Sequence, residues 1–342
     1  YISAEVSVKQ NYGIDLGLFN SISVSVDMFK ERMENMVIDA ISAIPLYQGI
    51  PATSYPKVNA GIFENKGYEI TANYIKAVNK DLSVSAGIVF SQAINTVVSS
   101  NEALKAEDYA YRKWEEGYPY GQEFGYLVDY SNGNGFFNSS DEIASSGLTY
   151  DFGTPRIGDL IYKDLNNDNN IDERDKAPIG HGAIPRKIYG ISGGVTYKSF
   201  ELSLLFEGVG DYSTIYNGIG VYETSYDGVF GSLHGNAWTQ ARYNSGDIIT
   251  YPALSLAKTV NHEANDFFSY DRSYLRLKNV QLSYSLPASL AKFISAERIE
   301  IVLRGQNLIT WDKMKSDDFG PENTYSSFPV YRVYSFGLSV VF

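Results

Sequence analysis

The chain has no cysteine, which excludes disulfides, thiolate metal sites and a thiol nucleophile. It has no apolar run approaching the roughly 18 residues of a membrane-crossing helix, although 44% of its 342 residues are hydrophobic. Any membrane crossing must therefore be made by strands. Positive charge is scarce as well: 28 Lys and Arg stand against 40 Asp and Glu, for a net charge of -12. That balance excludes the basic face required by a nucleic-acid backbone. Only His181, His234 and His262 offer an imidazole. The opening Tyr1-Ile-Ser-Ala-Glu-Val6 has neither the basic start nor the apolar core of an export signal, so a trimmed precursor or the rear of a longer chain is expected.

What is abundant is Tyr (28), Phe (18) and Gly (30), a composition suited to short strands and turns. In the last segment Tyr334, Phe336, Leu338, Val340 and Phe342 share one parity, and Ser335, Gly337 and Ser339 the other. A strand so divided fits a wall between lipid and a wet lumen, and equally the last strand of a soluble sandwich. The same alternation marks hairpins at Ile14–Leu18 with Ile22–Met28, at Tyr68–Tyr74 with Leu82–Phe90, and at Tyr189–Tyr197 with Phe200–Phe206. It returns over Val280–Leu286 and Ile299–Leu303. About nine strands of bilayer-crossing length result.

Connections alternate in length. Turns near 20, 79, 198 and 288–296 are short, whereas 33–65, 92–186, 210–271 and 308–329 are long and rich in Gly, Asn, Ser and Tyr. Sorting loops in this way is how outer-membrane barrels are built, and a sandwich has no reason for it. The expected fold is therefore all-β: an antiparallel transmembrane β-barrel segment over 1–342, with short periplasmic turns and long extracellular loops, of which 92–186 is the largest. An odd set of strands leaves two open edges that lipid does not tolerate, so further strands are expected.

Five ordered motifs carry a resemblance: Phe63-Glu-Asn-Lys-Gly-Tyr-Glu69, Glu116-Gly-Tyr-Pro-Tyr-Gly121, Gly158-Asp-Leu-Ile-Tyr-Lys-Asp164 continuing to Asp168 and Asp172, Ser273-Tyr-Leu-Arg-Leu-Lys-Asn-Val280, and Gly305-Gln-Asn-Leu308. In that order they resemble the C-terminal part of the SusC/RagA-type TonB-linked outer-membrane transporters of Bacteroidota. The resemblance implies energy-coupled uptake of oligosaccharides or peptides across the outer membrane of a Gram-negative bacterium. It also implies a SusD-like surface lipoprotein as a lid, and coupling to the TonB complex through an N-terminal plug-bearing part that is not found here. The rivals are a self-contained porin-like barrel of about ten strands, and a secreted calcium-binding β-sandwich that binds glycans or adheres to surfaces.

Asp164, Asn166, Asp168, Asn170, Asp172 and Asp175 follow the register of a calcium loop, with the Asn170 carbonyl at the seventh position and apolar Ile171 after it. Asn169 stands where such loops turn on Gly, and Asp175 is shorter than the usual Glu. The expectation is a weak structural Ca2+, against a plain Asx-rich turn. Gly190-Ile-Ser-Gly-Gly194 matches the G-x-S-x-G of hydrolases, but alternation runs straight through Ser192, where a nucleophile elbow needs a sharp turn into a helix. No catalytic residue is expected. Tyr109, Tyr111, Trp114, Tyr118, Tyr120, Phe124, Tyr126 and Tyr130 read as loop packing or a lipoprotein contact, with sugar stacking as the functional alternative. Glu201, Glu207, Glu300 and Arg304 are candidate lumen charges.

Overall fold

A computed structural model describes residues 2–39, 55–223, 230–323 and 327–342. Nine strands form one antiparallel sheet: β1 (Val6–Leu18), β2 (Ile22–Asp39), β3 (Lys57–Ala77), β4 (Leu82–Ser99), β5 (Lys187–Tyr197), β6 (Phe200–Gly210), β7 (Tyr274–Ser285), β8 (Arg298–Asp312) and β9 (Val333–Val341). Each pairs with the next in the chain, so the sheet is a plain meander in which β1 and β9 are the edges.

The register turns the alternation of single strands into two continuous faces. Leu16, Val24, Ala72, Ile88, Ile191, Phe206, Leu277 and Ile309 stand opposite one another across β1 to β8. A second row runs Val84, Val195, Leu202, Leu282, Leu303, Phe336. The residues between them make the other face, for example Ser85, Gly194, Ser203, Gln281, Arg304 and Ser335. Cross-strand pairing of like with like on each face is what fixes the register, because a slip of one residue exchanges the two faces. The apolar face is open: Ile14 is 64% and Phe336 71% exposed. The remaining sheets among the described residues have two strands each, so no second sheet covers that face as a sandwich requires.

Four strands run further than alternation implied. β2 reaches Asp39, β3 begins at Lys57, β4 reaches Ser99 and β8 reaches Asp312. Above the apolar rows the same face turns to charge, with Lys30, Arg32, Glu34, Glu64 and Lys66, while Phe29, Met33 and Phe63 stand on the opposite face. Ladder pairing continues there, helped by Lys9–Glu31 (3.1 Å) and Lys30–Glu64 (2.9 Å). The in–out pattern of the lower strands is lost there, while the backbone pairing continues. The long connections hold two short helices, α1 (Ser140–Ser146) and α2 (Gln240–Ser245), and the expected short turn at 288–296 contains a third, α3 (Ala288–Phe293). The short turn before β2 is made by left-handed Phe19 and Asn20 (φ 53° and 52°).

The buried aromatic core lies in the long connections rather than in the sheet. Tyr126, Phe136, Phe137, Tyr162, Tyr216, Tyr251 and Phe268 pack together from two long connections, those after β4 and β6. The motif Gly158–Asp164 sits inside this core. Asp159 accepts from Arg156 and from Asn261 Nδ2 (2.9 Å), and the Tyr162 hydroxyl donates to the Val260 carbonyl (2.8 Å).

Gly67 in β3 faces the Phe29 ring, and a Cβ there would overlap the Gln92 carbonyl oxygen, a backbone atom that no rotamer can move aside. Gly67→Ala is expected to lower the unfolding free energy in detergent by about 1–3 kcal/mol, the cost of overpacking. Gly17→Ala, with open space around its Cβ, is the control; equal denaturation midpoints for the two variants would contradict this.

Candidate transport surface

Glu201, Glu207, Glu300 and Arg304 all lie on the polar face, as their registers show. Arg304 donates to Gln281 (2.7 Å) and Glu300 pairs with Arg298 (3.3 Å). Toward the long loops the face becomes a charge network. Lys278, squeezed out where β7 and β8 change register, reaches Glu207 at 2.6 Å. Arg276 binds Thr310 and Glu322, so a strand side chain anchors the 313–332 connection. Burial pushes the Glu322 carboxyl up, but its hydrogen bonds from Arg276 and Tyr274 prevail and hold it below the ordinary carboxylate range. In Gly305–Leu308 the left-handed Asn307 (φ 53°) makes the bulge, and Gly305 leaves room for the Leu308 side chain folded over it.

The aromatic stretch divides into packed and open rings. Tyr111, Trp114 and Tyr118 surround Phe124, with centroids 6.2, 5.2 and 5.1 Å away. Lys105 Nζ stands over Trp114 (4.0 Å) and Tyr109 (5.3 Å), and Tyr126 stacks on Phe152 and Tyr162. Tyr120 and Tyr130 remain exposed. Tyr120, Trp114, Phe63 and Met36 line an apolar cavity of ≈ 430 Å³ where the tops of β2 to β4 meet the loop.

The six residues expected to hold calcium form one turn, and Asn169 takes the left-handed conformation (φ 63°) that replaces the usual Gly. Their oxygens already have partners. Asp164 accepts backbone N–H groups from Asn167 and Asn169 (2.7 Å each), and buried Asp175 accepts from Leu165 (2.8 Å) and Asp172 (3.0 Å). Asn166 donates to Asp168, and Asn170 is bonded to Thr149 and Asp151. Arg174 supplies the positive charge, bridging Asp168 (2.9 Å), Asp172 (2.5 Å) and Asp108 (3.0 Å). Its hydrogen bonds hold the Asp172 carboxyl below the ordinary range, while burial pushes Asp175 up. Among the described residues no group of three or more carboxylates or imidazoles is arranged to hold a metal. As folded, the donor set does not fit an ion, and calcium at this turn is a proposal that requires Arg174 to leave.

Ser192 sits inside β5 on the polar face, opposite Gly87 and Leu205. None of the turn-to-helix geometry of a nucleophile elbow surrounds it. His181, His234 and His262 are all in the connections, the latter two buried or nearly so and hydrogen-bonded.

One cluster escaped the sequence reading. Glu223, 1% exposed, accepts from the Tyr251 hydroxyl (2.6 Å), the Ser255 N–H (2.9 Å) and His262 Nε2 (3.3 Å). Because His262 Nδ1 accepts the Thr259 N–H (3.0 Å), the proton of the neutral ring resides on Nε2 and points at the carboxylate. No spacing signal joins residues 223, 251 and 262; only the loop core brings them together.

These features define a class: a β-meander with one apolar and one polar face, its long connections folded into a cap over one end. No protein-family profile matches the chain. It is 25% identical to TonB-dependent receptor P3 of Formosa agariphila over 99% of this chain and 34% of the relative, and 28% identical to TonB-dependent receptor P39 of the same organism over 87% and 31%. The RagAB peptide transporter matches in structure with TM-score 0.70 at 21% identity, over 98% of this chain and 35% of that one. The RagAB peptide importer in its open-open state matches with TM-score 0.68. The chain is thus similar to TonB-dependent receptors and spans about a third of the length of the relatives it matches. Those relatives carry the names of receptors and transporters, not of enzymes.

Two predictions arise from these loops. Burial raises the Glu223 carboxyl, yet the hydrogen bonds from His262 and Tyr251 outweigh it, and the net direction is downward. A depressed carboxyl stabilises above its unfolded value of about 4.3 and loses that stabilisation as pH falls through the lower folded value. Proteolysis of the cap is therefore expected to rise below about pH 4. Glu223→Gln should abolish that step and destabilise the cap at neutral pH by about 1–3 kcal/mol; an unchanged acid transition in the variant would contradict this. At the other site, wild-type cleavage between residues 164 and 175 should be equal in chelator and in millimolar calcium. Arg174→Gln should be cleaved several-fold faster in chelator, since the carboxylates then lack a cation. A calcium-dependent wild-type turn would refute the arginine's role.

Proposed function

We propose that the chain forms part of the wall and cap of an outer-membrane importer, a transmembrane β-barrel whose polar face lines the route for a bulky nutrient, an oligosaccharide or peptide. The observation that carries this is the pair of rows that together reach all nine strands: a face made of Val, Ile, Leu, Phe and Ala, with Ser, Gly, Asn and Gln behind it. Burying each such large side chain is worth about 1.5–3 kcal/mol, so a face of this extent calls for lipid rather than water. The open edges of β1 and β9 support completion by further strands, because an unpaired peptide group costs several kcal/mol in hydrocarbon. This favours the transporter over the passive porin, which requires β1 and β9 to pair, and over the sandwich, which requires a covering sheet. The SusD-like lipoprotein is the proposed lid over the long connections, and energy coupling through the TonB complex is assigned to segments beyond this chain.

The test is expression of the full-length protein in its host. It is expected in the outer-membrane fraction, soluble only with detergent, migrating faster before heating than after, and copurifying with a surface lipoprotein. Uptake of labelled oligosaccharides or peptides should stop when the proton-motive force is collapsed. Continued uptake would reject energy coupling, and solubility without detergent would reject the membrane wall.

A further inference from the structure

The connection between β7 and β8 is the longest on the short-turn side and holds α3. Ala291 of this helix is buried with Ala296 and Ile299, and Leu286 and Val340 pack against them. Ile299 and Val340 are partners across β8 and β9, two positions beyond the pair Ile301–Leu338. They therefore continue the apolar face, and α3 lies on that face rather than across the polar one. The far side of the helix carries Leu290, Phe293 and Ile294, which are 53%, 89% and 44% exposed. Their spacing of three and four residues places them together, and Lys292 beside Phe293 in the chain is exposed.

The same end of the sheet presents Phe19 (87% exposed), Tyr197 (51%) and Phe342 (78%), with Lys80 and Lys198 in the neighbouring turns. Exposed aromatic rings and lysines at one level, bordering an apolar wall, are what a water–lipid boundary selects: rings at headgroup depth, ammonium groups reaching the phosphates.

We propose that α3 is an interfacial foot. Its Ala291 side clamps the ends of β7 to β9, and its Leu290, Phe293 and Ile294 side is set into the headgroup–acyl boundary of the leaflet at the short turns, with Lys292 directed to lipid phosphate. This rests on the sheet being a membrane wall, and the occupant is lipid, because the helix surface is continuous with the apolar rows of the strands. It adds a contact that the strands alone do not make, on the only short-side connection with a helix among the described residues.

The chain contributes no thiol of its own; the test is a single-cysteine series in the full-length protein, with any cysteine outside this chain replaced by serine, reconstituted in vesicles and labelled with a small fluorophore. Phe293→Cys is the probe, Phe336→Cys the control on the apolar face, and Glu201→Cys the control on the polar face. Vesicles carry a nitroxide quencher either near the headgroup or near the acyl-chain end. The label at 293 should be quenched about twofold more by the shallow than by the deep quencher, as a site within about 5–10 Å of the boundary requires. The label at 336 should respond to the deep quencher, and that at 201 to neither. A label at 293 left unquenched while that at 336 is quenched overturns the foot, whether water or a protein covers the patch. An unquenched label at 336 overturns the membrane reading instead.

Discussion

The rest of the structure depends on one constraint: a peptide group in hydrocarbon must find its hydrogen-bond partner within the protein. A meander meets it for every strand with two neighbours, because each N–H and C=O is taken up by the adjoining ladder. The side chains are then free to differ on the two faces, and they do so in rows. Val195, Leu202 and Leu282 on one face and Gly194, Ser203 and Gln281 on the other are neighbours in sequence with opposite surroundings. The constraint is unmet only at the outer edges of β1 and β9, and the proposed completion of the wall follows from it.

The second organising element is the cap. Its core is built of phenylalanines and of tyrosines, and the tyrosine hydroxyls are bonded to loop backbone, as with Tyr162 to Val260 and Tyr216 to Asn323. Such rings bury a large apolar surface while the tyrosine hydroxyls satisfy carbonyls that irregular backbone leaves unpaired. Arg276 and Glu322 join this cap to the sheet through the polar face. The motifs that carry the family resemblance prove to be structural joints of this kind: Asp159 and Tyr162 inside the cap, Arg276 at its attachment, Gly305 and Asn307 at a bulge.

Much of this was legible before any coordinates. The nine strands, their parity, the sorting of connections by length and the location of Ser192 within a strand all follow from a period of two, which each segment carries by itself. The left-handed Asn169 was also foreseeable from its place in the turn. The ends of β2, β3 and β4 were not, because the lower in–out pattern breaks where Lys30, Arg32 and Glu64 follow apolar residues on the same face, although the ladder goes on. The role of Arg174 was missed for a related reason: a calcium register shows where oxygens stand, and says nothing of a guanidinium folded back among them.

What the sequence by itself determined is therefore whatever depends on neighbours in the chain: strand parity, turn positions, the absence of thiol chemistry and of apolar helices. What only the tertiary structure decided is whatever depends on register and on distant partners. Alignment of nine separate alternations into unbroken rows, the seat of α3 on the apolar face, and the Glu223–Tyr251–His262 cluster belong here. Alternation fixes which side of its own strand a residue occupies. Hydrogen-bonded pairing between strands, and packing of rings from loops far apart in sequence, fix what it meets there, and no local pattern encodes either.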